Sequence, residues 1–336
     1  MWKCPVRLIG GARLRAWARK LPSSDPTAWG EWSRKMVTAQ LNPVGVGIHS
    51  VLIATDFSRC STVAVNFGLE LAQEYRAKAY VVFVLPSDDF LIAGPDAYVA
   101  AKDAARRDLL ELKAELRYTH SYTEGEDYHL LLMEGEAAQS ILDCARQNKV
   151  GAIVVGTHGR GGLGKMLMGS VAERVFRQSP VPVMTVGPHL HRAARGFAPR
   201  NILLAADFTP ASECAAHYAS TLARERNAKL TMLHVLDHPE LSGVADRAEV
   251  MQGIEKKLAA LIGQDAEGLQ LCCRVEIGKV VPTILHTEIE IDADLLVMGV
   301  RPWSGLRDRL MWPNAYEIVR EAACPVLTVR GKVLQQ

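Results

Sequence analysis

A glycine-rich segment carries the residues whose types and spacing best suit ligand chemistry. It runs from Gly156 through Gly159 to Gly169-Ser170, ten residues further on. Glycine lets a backbone approach a ligand closely and adopt positive φ, so that successive N–H groups can point at an anion. We expect Gly169-Ser170 to begin a helix, whose free N–H groups and dipole favour negative charge. Three basic residues belong to the same segment: His158, Arg160 and Lys165. The segment, called the glycine loop below, therefore predicts a phosphate site.

The elements that must position this loop are short strands alternating with helices. Runs of four to eight Val, Ile and Leu residues are typical of strands buried on both faces of a parallel sheet. The spacing of Val63, Phe67 and Leu71 is typical of a helix between two such runs. Strand–helix alternation implies right-handed crossovers, and ligands of such sheets bind at the carboxyl ends of the strands. The predicted strands are 50–55, 79–85, 128–133, 151–156 and 181–186, and the predicted helices are 59–75, 96–117, 137–148 and 168–178.

The same pattern occurs twice along the chain. Residues 50–58 match residues 201–209 at an offset of 151 positions, and residues 153–156 match residues 296–299 at an offset of 143. The second copy has thus lost eight residues in its middle and otherwise aligns without gaps. The sequence predicts two tandem α/β domains joined by a linker without periodicity. The predicted boundaries are 48–188 for the first domain, 189–199 for the linker and 200–331 for the second domain.

The second copy lacks the residues that make the first loop suitable for an anion. Pro302 stands where the first copy has Gly159, and Trp312-Pro313 stands where it has Gly169-Ser170. Proline has no N–H to donate and a fixed φ. We therefore predict one binding site per chain, in the first domain.

The pattern G-x2-G-x9-G-[ST], with Asp56 after the first strand, resembles the universal stress protein family. The resemblance covers residues 48–187 and 200–331. It implies Rossmann-like domains, each a five-stranded parallel sheet of order 3-2-1-4-5 flanked by helices. It also implies that paired domains meet through their last strands, here 181–186 and 324–329.

Members of this family that bind ATP hold adenine beside the first two strands and phosphates on the glycine loop. The resemblance therefore implies ATP, together with Mg²⁺, as the ligand of the first domain. By residue match, it implies the following ATP-binding residues: Ala54, Asp56, Val84, Val155, Gly156, Gly159, Arg160, Gly169, Ser170 and Val171.

Other interpretations of these residues stay open. Asp56 could serve only to cap the next helix, since Asp207 persists in the second copy. Val84 and Val155 would be buried in any such sheet, and His158 could be a solvated loop residue. A second alternative is a P-loop at Gly159–Lys165, but Met166 stands where that motif needs a Mg²⁺-binding hydroxyl. We find no dinucleotide fingerprint, catalytic triad or metal-ligand cluster.

Composition limits the classes of partner and the cellular compartment that we expect. A net charge of +2 gives no indication of nucleic acid or membrane partners, and no apolar run is long enough to span a bilayer. Seven cysteines without a C-x-x-C pair indicate reduced thiols and a cytoplasmic protein. Residues 1–47 hold eight basic and two acidic residues with no apolar periodicity. We expect them to be a disordered or artefactual extension, with translation starting near Met36; a targeting peptide or an arm for an anionic partner are the alternatives.

The leading functional hypothesis is a cytoplasmic ATP-binding stress-response or signalling protein that needs no catalysis. One alternative is a slow ATPase with weak hydrolytic activity. The other is a nucleotide-free scaffold or dimerisation module. Besides ATP, the expected partner of the first domain is the second domain of the same chain; a homodimer stays open.

Overall fold

The computed structural model describes residues 48–86, 94–159, 168–190, 197–236, 247–301 and 313–331. The predictions for residues 1–47, Arg160 and Lys165 lie outside these ranges. The described strands are β1 (Ser50–Ala54), β2 (Lys78–Leu85), β3 (Tyr128–Glu134), β4 (Ala152–Gly156), β5 (Val183–Val186), β6 (Asn201–Ala205), β7 (Lys229–Leu236), β8 (Gln270–Ile277), β9 (Leu295–Val300) and β10 (Val326–Arg330). The α-helices are α1 (Arg59–Glu74), α2 (Pro95–His120), α3 (Ala137–Gln147), α4 (Ser170–Gln178), α5 (Pro210–Arg226), α6 (Arg247–Ile262), α7 (Val280–Glu290) and α8 (Pro313–Glu321).

These strands form one ten-stranded sheet of order β3-β2-β1-β4-β5-β10-β9-β6-β7-β8. Within each half the strands are parallel, with Leu52 opposite Ile153 and Leu203 opposite Leu296. These four residues are fully buried, as expected of a parallel sheet covered by helices on both faces. Each half has the order 3-2-1-4-5, which confirms the predicted α/β fold with two tandem Rossmann-like domains.

The two halves join through their last strands, as predicted. β5 pairs antiparallel with β10, with Met184 opposite Leu327. The Thr185 hydroxyl donates to the Val326 carbonyl at 3.2 Å, and the Thr328 hydroxyl donates to the Val183 carbonyl at 3.1 Å. The pairing removes two open sheet edges and makes the carboxyl end of the first half adjacent to the amino end of the second.

The helix boundaries follow local signals. Thr209 caps α5 by accepting from the Ser212 N–H at 3.3 Å, and Pro210 occupies the first helical position. α2 extends three residues past its predicted end and stops at Ser121, which has φ of 59°. None of the helices in the described ranges is long and apolar enough to cross a bilayer.

The end of the linker packs more tightly than its sequence indicates. Phe197 is 4% exposed and meets the Phe67 ring of α1 edge to face, with centroids 5.3 Å apart. The Arg226 guanidinium of α5 lies 5.7 Å from the Phe197 ring and 5.3 Å from the Tyr75 ring. The Tyr75 hydroxyl donates to Glu225 at 2.7 Å. Phe197 thus sits between the carboxyl ends of α1 and α5, a contact between domains that no periodicity reveals.

Candidate binding site at the first glycine loop

The two ends of the glycine loop come together beside β4. Gly169 N–H donates to the Thr157 carbonyl at 2.8 Å, and Thr157 N–H donates to the Val186 carbonyl at 2.9 Å. A Cβ on Gly169 would lie 3.7 Å from Gly159 N. We call residues 157–159 and 168–170 the loop neck. Its position at the carboxyl edge of the sheet is where ligands of this fold class bind.

The neck contacts the end of β1 through Asp56. A Cβ on Gly159 would lie 2.5 Å from Asp56 Oδ2, so any side chain there would displace the carboxylate. Asp56 Oδ1 accepts from the Ser58 N–H at 3.0 Å, and the Ser58 hydroxyl donates to the His158 carbonyl at 3.1 Å. Asp56 therefore shapes the turn before α1 and also borders the neck, so both interpretations of this residue have a structural basis.

The described glycines of this loop, Gly156, Gly159 and Gly169, serve close approach and not a left-handed backbone. None of the three has a positive φ. The expectation that these glycines adopt a left-handed backbone is therefore wrong. A Cβ on Gly156 would lie 2.9 Å from Cys60 C and from Ser61 N. Gly156 thus allows α1 to begin directly against β4, a packing role that requires no ligand.

The helix that follows the neck begins without a side-chain cap. Gly169 is the N-cap of α4, with φ of −59° and ψ of 143°, and no side chain of the described residues makes a capping hydrogen bond to this helix. Ser170 is exposed and Val171 is half-buried. By contrast, α1 is capped by Ser58 and α3 by Glu136. The start of α4 therefore presents donors and the positive end of the helix dipole at the neck.

The predicted apolar lining lies at the ends of three neighbouring strands. Ala54, Val84 and Val155 are 5% to 7% exposed, and Ala54 is opposite Val155 in the sheet register. Val171 packs against the same hydrophobic cluster. These positions suit core residues as well as the apolar side of a ligand site.

His158 is the titratable side chain of the neck. Its Nδ1 lies 2.9 Å from the Thr157 hydroxyl, and its Nε2 is buried without a hydrogen-bond partner in the described part of the chain. Burial lowers the pKa of His158, and the charges of His189 and Arg320 lower it further. The ring is therefore mostly neutral near pH 7, and it contributes little positive charge to the neck.

A family model described as the universal stress protein family matches residues 47–187 and 199–330. The chain belongs to the universal stress protein family. A universal stress protein of Mycolicibacterium smegmatis is 24% identical over 293 residues, which cover 84% of this chain and 98% of the relative. One of Methanocaldococcus jannaschii is 30% identical over 138 residues, covering 40% of this chain and 80% of the relative.

Solved structures support the tandem fold. A universal stress protein from Archaeoglobus fulgidus has a TM-score of 0.65 at 20% sequence identity, and the match covers 85% of this chain and 98% of that one. A protein from Pseudomonas aeruginosa, described as functionally unknown, has a TM-score of 0.57 at 17% identity, covering 85% and 94% of the two chains. At these identities the likeness concerns the fold alone.

The second domain of this universal stress protein keeps the structure of the strand end, whereas its sequence lacks two glycine positions of the loop. Asp207 Oδ1 accepts from the Thr209 N–H at 3.1 Å, as Asp56 does from Ser58. His234 stands in the place of Phe83, with Nδ1 2.7 Å from the Ala206 carbonyl. Pro302 and Trp312 lie outside the described residues.

Sequence reasoning missed Tyr316, which belongs to α8 of the second domain. Its hydroxyl accepts a hydrogen bond from the Met168 N–H of the first domain's loop neck at 3.1 Å. No motif marks this tyrosine, because the contact exists only once β5 and β10 have joined the two domains. The alignment of the two copies gives one indication that this position differs in role, since the equivalent of Tyr316 in the first domain is the unrelated residue Glu173.

Proposed function

We propose that the first domain of this universal stress protein binds ATP together with Mg²⁺ and that the second domain binds none. The observation that carries the proposal is the loop neck, where close-packed glycines adjoin the uncapped start of α4. Such an arrangement offers N–H donors and a helix dipole to phosphate oxygens.

The residues fit the parts of the ligand as follows. Gly159, Ser170 and Val171 would hold the phosphates through backbone N–H groups, with Arg160 of the loop adding charge. Gly169, whose own N–H donates to the Thr157 carbonyl, would let the phosphates approach the start of α4 closely. The apolar ends of β1, β2 and β4 would contact the adenosine, with Asp56 as a polar acceptor at their border. No cluster of three or more His, Cys, Asp or Glu residues in the described ranges could hold a metal ion. We expect Mg²⁺ to be held mainly by the phosphates and water, as is usual for nucleotide-bound Mg²⁺.

We propose a role in stress response or signalling, in the cytoplasm, in which occupancy and not turnover carries the signal. None of the six cysteines in the described residues is in a disulfide, which suits a reducing compartment. Hydrolysis needs a group that positions a water. We propose that the carboxylate of Asp56 serves the turn before α1, where its Oδ1 accepts from the Ser58 N–H, and the adenosine, and that it does not position a water.

One preparation of the full chain tests the proposal. Nucleotide released by acid is identified, and the nucleotide-free protein is titrated with MgATP by calorimetry. We expect about one site per chain. A stoichiometry near two would contradict the degenerate second domain, and absence of binding would favour the nucleotide-free scaffold. Phosphate release measured on the same sample would identify a slow ATPase.

A further inference from the structure

Helix α8 of the second domain contacts the first domain's loop neck at Met168 and approaches Gly187 beside it. On the α4 side, the Tyr316 hydroxyl accepts from the Met168 N–H at 3.1 Å. After β5, a Cβ on Gly187 would lie 3.5 Å from the Ala322 carbonyl oxygen, 3.8 Å from the Thr157 hydroxyl and 3.9 Å from the Val319 carbonyl oxygen. The end of α8 therefore approaches Gly187, which adjoins Thr157 of the neck, and the middle of α8 holds the point where the loop reaches α4.

The hydrogen bond to Tyr316 fixes the residue before the proposed phosphate donors. Met168 is 4% exposed, and its side chain is anchored in the hydrophobic cluster. Its N–H is directed to the tyrosine, and the next N–H, that of Gly169, is directed to the Thr157 carbonyl. Two successive peptide groups are thus held before the chain enters α4. A backbone ordered before binding loses less conformational freedom when the ligand arrives.

We propose that Tyr316 is a positioning residue for the phosphate-binding end of the first domain's glycine loop, so that the degenerate second domain completes the binding site across the domain junction. This inference rests on the proposed function. It gives the second domain a task that does not require a site of its own.

The equivalent position in the first domain carries a residue of different chemistry. The equivalent of Tyr316 in the first domain is Glu173, which pairs with Arg177 at 2.7 Å in its own helix. A carboxylate in an ion pair cannot take over the role of a neutral hydroxyl beside an anion. The hydroxyl that reaches the first domain's glycine loop is supplied by the second domain. By linkage, ATP at the neck also stabilises the contact of α8 with the first domain.

The test compares two Tyr→Phe variants of the full chain. Tyr316→Phe removes the hydroxyl at the neck and keeps the ring that packs on the hydrophobic cluster. Tyr75→Phe is the matched control, because it also removes one hydroxyl that bridges the domains, at the opposite edge of the sheet. Each variant is titrated with MgATP and with adenosine. The exchange rate of the Met168 amide is measured by NMR on protein labelled with ¹⁵N-methionine.

For Tyr316→Phe we expect ATP affinity to fall about threefold to tenfold, the loss of one hydrogen bond, with adenosine affinity within twofold of the parent. Exchange of the Met168 amide should become faster by a similar factor. Tyr75→Phe should change none of the three. A tyrosine that served folding alone would not change the ratio of ATP to adenosine affinity.

Three outcomes would overturn the inference. They are an unchanged Met168 exchange rate in Tyr316→Phe, an equal loss of ATP and adenosine affinity, and the same loss of ATP affinity in Tyr75→Phe. Failure of the proposed function is distinguishable, since a parent protein that binds no ATP would still show whether Tyr316 protects the Met168 amide.

Discussion

The first strand of each domain ends in the same structure, although only the first domain keeps the glycine loop. Phe57 and Phe208 both have φ of 59°, and the aspartate before each accepts from the N–H two residues later. Ser58 and Thr209 cap the helices that follow. The residues shared by the two copies are thus those that turn the chain from a strand into a helix.

The differences lie in the glycine loop, at the positions that we propose bind the phosphates. Gly156 persists as Gly299, and both glycines allow a helix to start against a strand. Gly159, by contrast, becomes proline in the second copy, and Gly169-Ser170 becomes Trp312-Pro313. The comparison therefore separates glycines that are required for packing from glycines that suit binding, a distinction that the motif alone does not make.

The largest expected effect comes from making the first loop like the second. Gly159→Pro deletes an N–H at the neck and adds atoms where a Cβ would lie 2.5 Å from Asp56 Oδ2. We expect ATP affinity to fall more than about 100-fold, from the lost charge-assisted hydrogen bond and the displaced neighbours. Calorimetry measures the affinity, and circular dichroism checks the fold. Binding within a few-fold of the parent would mean that the phosphates lie elsewhere.

The reverse change is the control for this comparison. Pro302→Gly restores one glycine in the second copy but leaves Trp312-Pro313 in place. We expect the stoichiometry to remain one ATP per chain. A second site in this variant would show that one proline alone separates the two domains.

The second expected effect tests the packing glycines. Gly299→Ala would place a Cβ 2.3 Å from Ala211 C, whereas in Gly156→Ala the nearest atoms are at 2.9 Å. Overpacking of this kind costs about 1–3 kcal/mol, so we expect both to lower the free energy of unfolding and Gly299→Ala to lower it more. Urea denaturation measures both. Gly253→Ala, with open space around its Cβ in α6, should be neutral or stabilising. Equal stability of all three variants would refute the packing role.

The third expected effect distinguishes the role of the aspartates in the turn from the proposed role of Asp56 in ATP binding. Asp56→Ala and Asp207→Ala each remove the acceptor of the turn N–H, at a cost of about 1 kcal/mol in the free energy of unfolding. Only Asp56→Ala should also weaken ATP binding, by about tenfold, since Asp56 borders the neck. Titration and urea denaturation of both variants measure this contrast. If Asp56→Ala loses stability but no affinity, the aspartate serves the turn alone.

The fold could be predicted from the sequence because its signals are local and repeated. Apolar runs marked the strands, the offset between copies marked the tandem domains, and Thr209-Pro210 marked the start of α5. Contacts between distant segments could not be predicted in this way. Phe197 has no periodic context, and Tyr316 reaches Met168 only through the β5–β10 pairing.

The position of the candidate site could be predicted from the sequence, but the contacts that require each of its glycines could not. The carboxyl ends of β1 and β4 do meet at the glycine loop, because that follows from parallel strands. The sequence could not show that Gly156 packs against α1 or that Gly159 adjoins Asp56, since both depend on interatomic distances. The binding roles of these residues stay predictions.

The smallest expected effect concerns His158, which has no counterpart in the second copy, where Arg301 takes its place. Burial is the main cause that lowers the pKa of His158, and His189 and Arg320 add positive charge, while Glu321 acts in the opposite direction. The folded chain therefore binds this proton less tightly than the unfolded chain, whose histidines titrate near pH 6.5. Protonation of the unfolded state then favours unfolding, so the stability linked to His158 is present above about pH 6.5 and is lost as the pH falls towards the lower folded pKa.

His158→Gln removes this proton uptake. We expect the parent to lose more stability than the variant between pH 7.5 and pH 5.5, measured as urea midpoints across that range. Midpoints that fall in parallel in both proteins would show that the orphaned Nε2 side of the ring is reached by water or by a partner that restores its ordinary pKa.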